Sequence, residues 1–180
     1  MTWKIRTVTV SLLALASAAV HAQTGAPAFP TRPLRLIIPM GAGGATDIFI
    51  RTIVPKMSDI LGQQVVVDNR PGANGAVGSE FVAKSNPDGH TLIMGYLGSL
   101  AINPHLFSKL PYDAVRDFSP VIALASSANV LIAAPDVPAN TVPELIAWLK
   151  AQPAGSTNYA SAGAGTSMHL AGELFNSLTG

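Results

Sequence analysis

Three glycine-rich stretches concentrate the residue types that could hold a ligand. They are Pro39-Met-Gly-Ala-Gly-Gly-Ala-Thr-Asp47, Asn69-Arg-Pro-Gly-Ala-Asn-Gly-Ala76 and Ser161-Ala-Gly-Ala-Gly-Thr-Ser167. Each precedes a segment with helical periodicity, and the first two also follow an apolar strand-like run. Glycine lets a backbone turn tightly and approach another molecule closely. A helix that starts just after such a turn presents unpaired N–H groups and a partial positive charge. In a parallel α/β sheet these junctions lie at the carboxyl ends of the strands, where ligands bind. Together they suit a small anion held by neutral donors, with no Lys or Arg obligatory.

Other chemistries fit less well. Gly41-x-Gly43-x-x-Thr46, with Asp68 closing the second strand, approaches a dinucleotide fingerprint, but Thr46 stands where the third glycine belongs. No Gly-Lys-Ser/Thr exists for a phosphate loop. Ser99, Ser161 and Ser167 lie near loops with His90, His105 and His169 elsewhere, yet no Gly-x-Ser-x-Gly elbow is present. No His-x-x-x-His spacing points to a metal. The absence of cysteine excludes a disulfide scaffold, a thiolate zinc site, a cysteine nucleophile and a lipid-anchored lipoprotein. With 11 basic and 10 acidic residues, the chain has no basic excess for nucleic acid. At 48% hydrophobic and 12% charged it has the apolar content for a packed core rather than disorder.

Asp47 fits the N-cap of the helix after the first junction, or a pair with a ligand's amine or hydroxyl. Arg51, one turn on, is either solvated or paired with an aspartate. His169 lies in the first turn of the last helix, where its ring either holds the Gly163-Ala-Gly165 loop or touches the ligand.

The elements that must place these groups alternate along the chain. Met1 to Ala22 reads as a secretory signal: Lys4 and Arg6 lead, Val8 to Val20 is too short to span a bilayer, and Val20-His-Ala22 suits cleavage. Residues 23–33 form an extended leader. Leu34 to Pro39 is a strand. Ile50, Ile53, Val54, Met57 and Leu61 form a helical stripe, which Pro55 should kink or weaken and Gly62 should end. Gln64 to Asp68 and Thr91 to Tyr96 are strands, with a helix from Gly75 to Ser85 between them. Apolar runs follow at Pro120 to Ala125 and Asn129 to Ala134. Thr141-Val-Pro-Glu144 is a capping box for a helix to about Ala151. Thr157 to Ala160 is a short strand and Ser167 to Ser177 a helix, with Trp148 and Phe175 as core positions. The alternation predicts βαβ units and a largely parallel sheet. Residues 34–125 are expected to form a first α/β lobe, and 126–180 the start of a second.

Several motifs resemble the Bug-type extracytoplasmic solute-binding proteins of tripartite tricarboxylate transporters. They are Leu-Arg-Leu-Ile-Ile-Pro followed by Gly-Gly-Ala-Thr-Asp47, Val-Val-Val-Asp-Asn-Arg-Pro-Gly-Ala-Asn-Gly75 and Asn-Pro-Asp-Gly-His-Thr-Leu92. Ala-Ile-Asn-Pro104, Leu-Pro-Tyr-Asp113, Arg-Asp-Phe118 and Gly-Thr-Ser-Met-His-Leu-Ala-Gly-Glu-Leu-Phe175 continue the match. The family usually has proline where this chain has Ala42, and it is considerably longer. The resemblance implies a type II periplasmic-binding fold, with two lobes of parallel or mixed sheet flanked by helices and the second lobe truncated at Gly180. It implies a periplasmic receptor, not an enzyme, that is monomeric at full length and needs no cofactor. Its ligand would be a di- or tricarboxylate, an acidic amino acid or an aromatic acid, passed to membrane subunits. A sensor module with the same pocket, or an exported α/β enzyme, are the alternatives. The expected contacts are Gly43, Gly44, Thr46 and Asp47, then Ala73, Asn74, Gly75 and Ala76. Gly98 and Ser99 follow the third strand, and Ser161, Gly163, Thr166, Ser167 and His169 come from the opposite lobe.

Overall fold

The computed structural model describes residues 28–180, so the signal segment and the first part of the leader lie outside the described residues. Three strands form a parallel sheet in the order β2-β1-β3. β1 is Leu34–Ile38, β2 Val65–Asn69 and β3 Thr91–Ile93. Leu34 pairs with Val65 and Ile38 with Asn69 on one side of β1, while Arg35 pairs with Thr91 and Ile37 with Ile93 on the other.

Alternation along β1 divides the two faces of the sheet. Leu34, Leu36 and Ile38 point to the face covered by α1 (Ala45–Leu61), whose Ile50, Ile53, Val54, Met57 and Leu61 complete that core. Arg35, on the opposite register, lies 5.6 Å from the Phe81 ring of α2 (Ala76–Ala83). Ile37, Ile38 and Ile50 are fully buried, and each contributes roughly 1.5–3 kcal/mol. α1 continues from Ala45 to Leu61 with Pro55 inside it, and its apolar stripe meets the sheet on both sides of the missing N–H. Gly62 closes it in the left-handed conformation, as the glycine stop signal predicts.

The chain then runs through a π-helical turn, Gly98–Ile102, into α3 (Asn103–Leu106), and later forms α4 (Val142–Lys150) and α5 (Ser167–Thr179). Thr141 caps α4 as expected, accepting the Glu144 N–H, while Glu144 accepts the Asn140 N–H. Three expectations differ from the structure. Residues 157–160 form no strand, and β3 ends at Ile93 rather than Tyr96. The apolar runs 120–125 and 129–134, to which no element was assigned, are irregular, with Val121 and Ile132 more than four-fifths exposed. Trp148 and Phe175 are only half-buried, and α4 and α5 bury no residue fully. For the runs at 120–134 and 157–160 and for the two helices the cause is shared: an extended run needs a neighbouring strand, and a helix needs a sheet face. Among the described residues none is offered to these segments.

Candidate functional site

Parallel pairing aligns the carboxyl ends of the three strands, so residues 39–44, 70–75 and 94–97 leave the sheet along one edge. Because β1 is central and the chain crosses from β2 to β3, that edge contains a topological switch point.

The first junction is organised by Asp47, which is 4% exposed. It is the third residue of α1 and not its N-cap. Gly44 takes that position in an extended conformation, with no side-chain cap. The carboxylate reaches back to accept the Gly43 N–H at 2.9 Å, the Arg51 Nε–H at 3.0 Å and the Asn69 amide at 3.0 Å. Asn69 also donates to the Met40 carbonyl and accepts from the Arg51 guanidinium, which ties the loop to the end of β2. The Arg51 hydrogen bond, followed by those from Gly43 and Asn69, lowers the Asp47 pKa to about 2. A carboxylate so engaged positions the loop. It also occupies the N–H of Gly43, one of the expected donors. The N–H groups of Gly44, Ala45 and Thr46 remain at the helix start, where no intrahelical acceptor exists.

The second junction is a left-handed turn. Ala73, Asn74 and Gly75 have φ of 46°, 48° and 80°, and the Ala76 N–H closes onto the Ala73 carbonyl at 3.1 Å. The Asn74 side chain donates to Asn103 Oδ1 and to the Gly165 carbonyl, both at 2.9 Å, and accepts the Tyr96 hydroxyl at 2.8 Å. Asn103, fully buried, returns a hydrogen bond to the Asn74 carbonyl at 2.8 Å and donates to Tyr112 Oη. Tyr112 in turn donates to the Ser99 carbonyl. Gly98 and Ser99 are both buried, and the Ser99 hydroxyl donates inward to the Tyr96 carbonyl at 3.2 Å. Tyr96, Asn103 and Tyr112 were missing from the expected site. Their signal was the pair of segments around Asn-Pro104 and Pro-Tyr-Asp113, whose polar side chains meet only through tertiary contact.

In the third junction the loop is held by Thr166 rather than by the His169 ring. The Thr166 hydroxyl donates to the Gly163 carbonyl at 2.7 Å and accepts the His169 backbone N–H at 3.3 Å. The His169 ring lies toward Glu173, 3.9 Å away, with Nδ1 buried and unpartnered. Ser161 Oγ accepts the Gly163 N–H, and Ser167 Oγ reaches Asn129 at 3.5 Å. Ser161 and Gly163 are exposed, whereas Gly165, part of the same loop but not among the expected contacts, is buried against Asn74.

Each arginine beside the cradle has a carboxylate partner, although two of them share one. Arg51 pairs with Asp47 at 3.0 Å, and Arg70 with Asp68 at 3.0 Å while lying 3.6 Å over the Phe81 ring; Arg35 approaches the same Asp68 at 3.5 Å. Among the described residues no group of three His, Asp or Glu side chains could hold a metal.

Comparison with known proteins places this geometry. Residues 49–180 match the tripartite tricarboxylate transporter family receptor model. A UPF0065 protein of Bordetella pertussis is 41% identical over 172 residues, covering 96% of this chain and 51% of that protein. The solved Rpa4515 of R. palustris with adipate superimposes with a TM-score of 0.78 at 36% identity, over 84% of this chain and 50% of its own. MatC from Rhodopseudomonas palustris with bound malate gives 0.73 at 34% identity, over 84% and 51%. The periplasmic binding protein BugD gives 0.67 at 30%, over 84% and 50%. The chain therefore spans about half the length of the curated relatives it matches. The fold is that of the α/β periplasmic binding proteins, and the chain belongs to the tripartite tricarboxylate transporter receptor family.

Proposed function

We propose that this chain supplies the carboxylate cradle of a periplasmic solute receptor, which hands its ligand to the membrane subunits of a tripartite transporter. The observation that carries the reading is the paired state of Arg35, Arg51 and Arg70 beside a row of unpaired helix-start N–H groups. A carboxylate there is bound by backbone dipoles at an open edge of the sheet, the arrangement that helix N-termini favour. The ligand class is a small di- or tricarboxylate, an acidic amino acid or an aromatic acid, in keeping with the adipate and malate held by two structural neighbours. Residues 1–22 act as the export signal, and the role is binding rather than catalysis.

The test is calorimetric titration of the full chain with malate and with adipate, at about 0.1 M and about 1 M ionic strength, where the screening length falls from about 10 to about 3 Å. Binding that weakens only modestly with salt is expected. Ala45→Pro deletes one helix-start N–H at a position where proline fits, since Gly44 before it is already extended, and it should weaken binding markedly. No binding of either acid, or binding that collapses with salt and survives Ala45→Pro, refutes the cradle.

A further inference from the structure

We propose that Asn74 is a positioning residue whose carboxamide clasps the second glycine junction to the third. The contact joins residues 91 positions apart, from the Asn74 amide to the Gly165 carbonyl at 2.9 Å. Every polar group of the side chain is used: the other N–H goes to Asn103 Oδ1, and the carbonyl oxygen accepts from Tyr96. Asn103 also binds the Asn74 backbone carbonyl, so the residue is gripped at both ends. Its φ of 48° is one that L-residues rarely adopt, and asparagine tolerates it better than most. The surroundings are cut to fit. A Cβ on Gly165 would lie 3.0 Å from Asn74 Nδ2 and 2.6 Å from Leu106 Cδ2, and one on Gly98 would strike Tyr96 and Asn74 Oδ1.

Aspartate would keep the shape but lose both donors, and glycine would accept the backbone while losing the side chain. Asn74 therefore acts by fixing the distance between two loops, not by touching the ligand. Its binding consequence rests on the carboxylate-cradle reading, but its structural consequence does not.

The experiment is native-state hydrogen exchange on the full chain, with Asn74→Gly and Gly165→Ala singly and together. Malate titration is run in parallel. In Asn74→Gly, the amides of Thr166 and His169, bonded within the third junction, should exchange roughly tenfold faster, the factor for one lost hydrogen bond. The Arg35 amide, bonded to His90 in the sheet, should be unchanged. Gly165→Ala should give that local change plus a further one from its left-handed φ and its contact with Leu106, and the double variant should match Gly165→Ala alone rather than the sum of the two. Malate affinity should fall by a similar factor. Unchanged exchange at Thr166 and His169 overturns the clasp, as do additive effects of the two substitutions. If the unmodified chain binds neither malate nor adipate, the cradle reading fails, while the exchange data still decide the clasp.

Discussion

Gly43 and Gly75 offer a controlled comparison, because both have φ of +80° but different surroundings. A Cβ on Gly43 would meet nothing within 4 Å. On Gly75 it would lie 2.9 Å from both Cε1 and the hydroxyl of Tyr96, and 3.3 Å from Pro39 Cβ. Alanine at either site takes a left-handed conformation at a cost of about 1–2 kcal/mol. For Gly43→Ala that should be nearly the whole effect. For Gly75→Ala the Tyr96 ring must also move, yet Gly98 crowds its opposite edge, so it has no room to slide. Displacement breaks the 2.8 Å hydrogen bond to Asn74, worth about 0.5–1.5 kcal/mol, and crowds a packed site at about 1–3 kcal/mol. Gly75→Ala should thus be destabilising by about 2–5 kcal/mol, some 1–3 kcal/mol beyond Gly43→Ala once overlap between the two costs is allowed for. Equilibrium urea denaturation measures the difference as a shift in midpoint at constant slope. In a Tyr96→Ala background the gap should close. Equal destabilisation by the two substitutions, or a gap that survives loss of the tyrosine, would refute the crowding argument.

Three further outcomes are expected. Asp47 has its pKa lowered to about 2, so its stabilising contribution is complete above the ordinary value of 3.8 and is lost as pH falls through about 2. Melting temperature followed against pH should show that acid loss in the unmodified protein and lack that component in Asp47→Asn. Tyr112→Phe removes the hydroxyl that serves both Asn103 and the Ser99 carbonyl in a buried setting, and should cost about 1–3 kcal/mol by the same denaturation assay. Thr166→Val deletes the cap of α5 and its bond to Gly163, costing about 0.5–2 kcal/mol and raising amide exchange at His169 while leaving the β1 amides protected.

Much of the frame was legible in the sequence because it is locally encoded. A stripe at helical spacing from Ile50 to Leu61, stopped by Gly62, and the short apolar runs of β1 and β2 specify their elements without knowledge of neighbours. The glycine junctions were equally plain, since glycines between a strand and a helix permit the tight, positive-φ turn that such a junction needs. The capping box at Thr141 follows the same local logic.

What the sequence could not decide depended on distant partners. Whether residues 120–134 or 157–160 become strands turns on an available edge, which no local pattern reports. Asp47 has the residue type of an N-cap, but Asn69 and Arg51 converge on it across 22 and 4 positions and turn it into the tie of the first loop. His169 stands where its ring could either hold the loop or touch a ligand, yet the ring lies toward Glu173 one turn away and Thr166 does the holding. The chain by itself determined which stretches could present backbone donors to an anion. Only the tertiary structure decided which of those donors are spent internally, because a hydrogen bond is settled by what else is within 3 Å, and Asn74, Asn103 and Gly165 are neighbours only after folding.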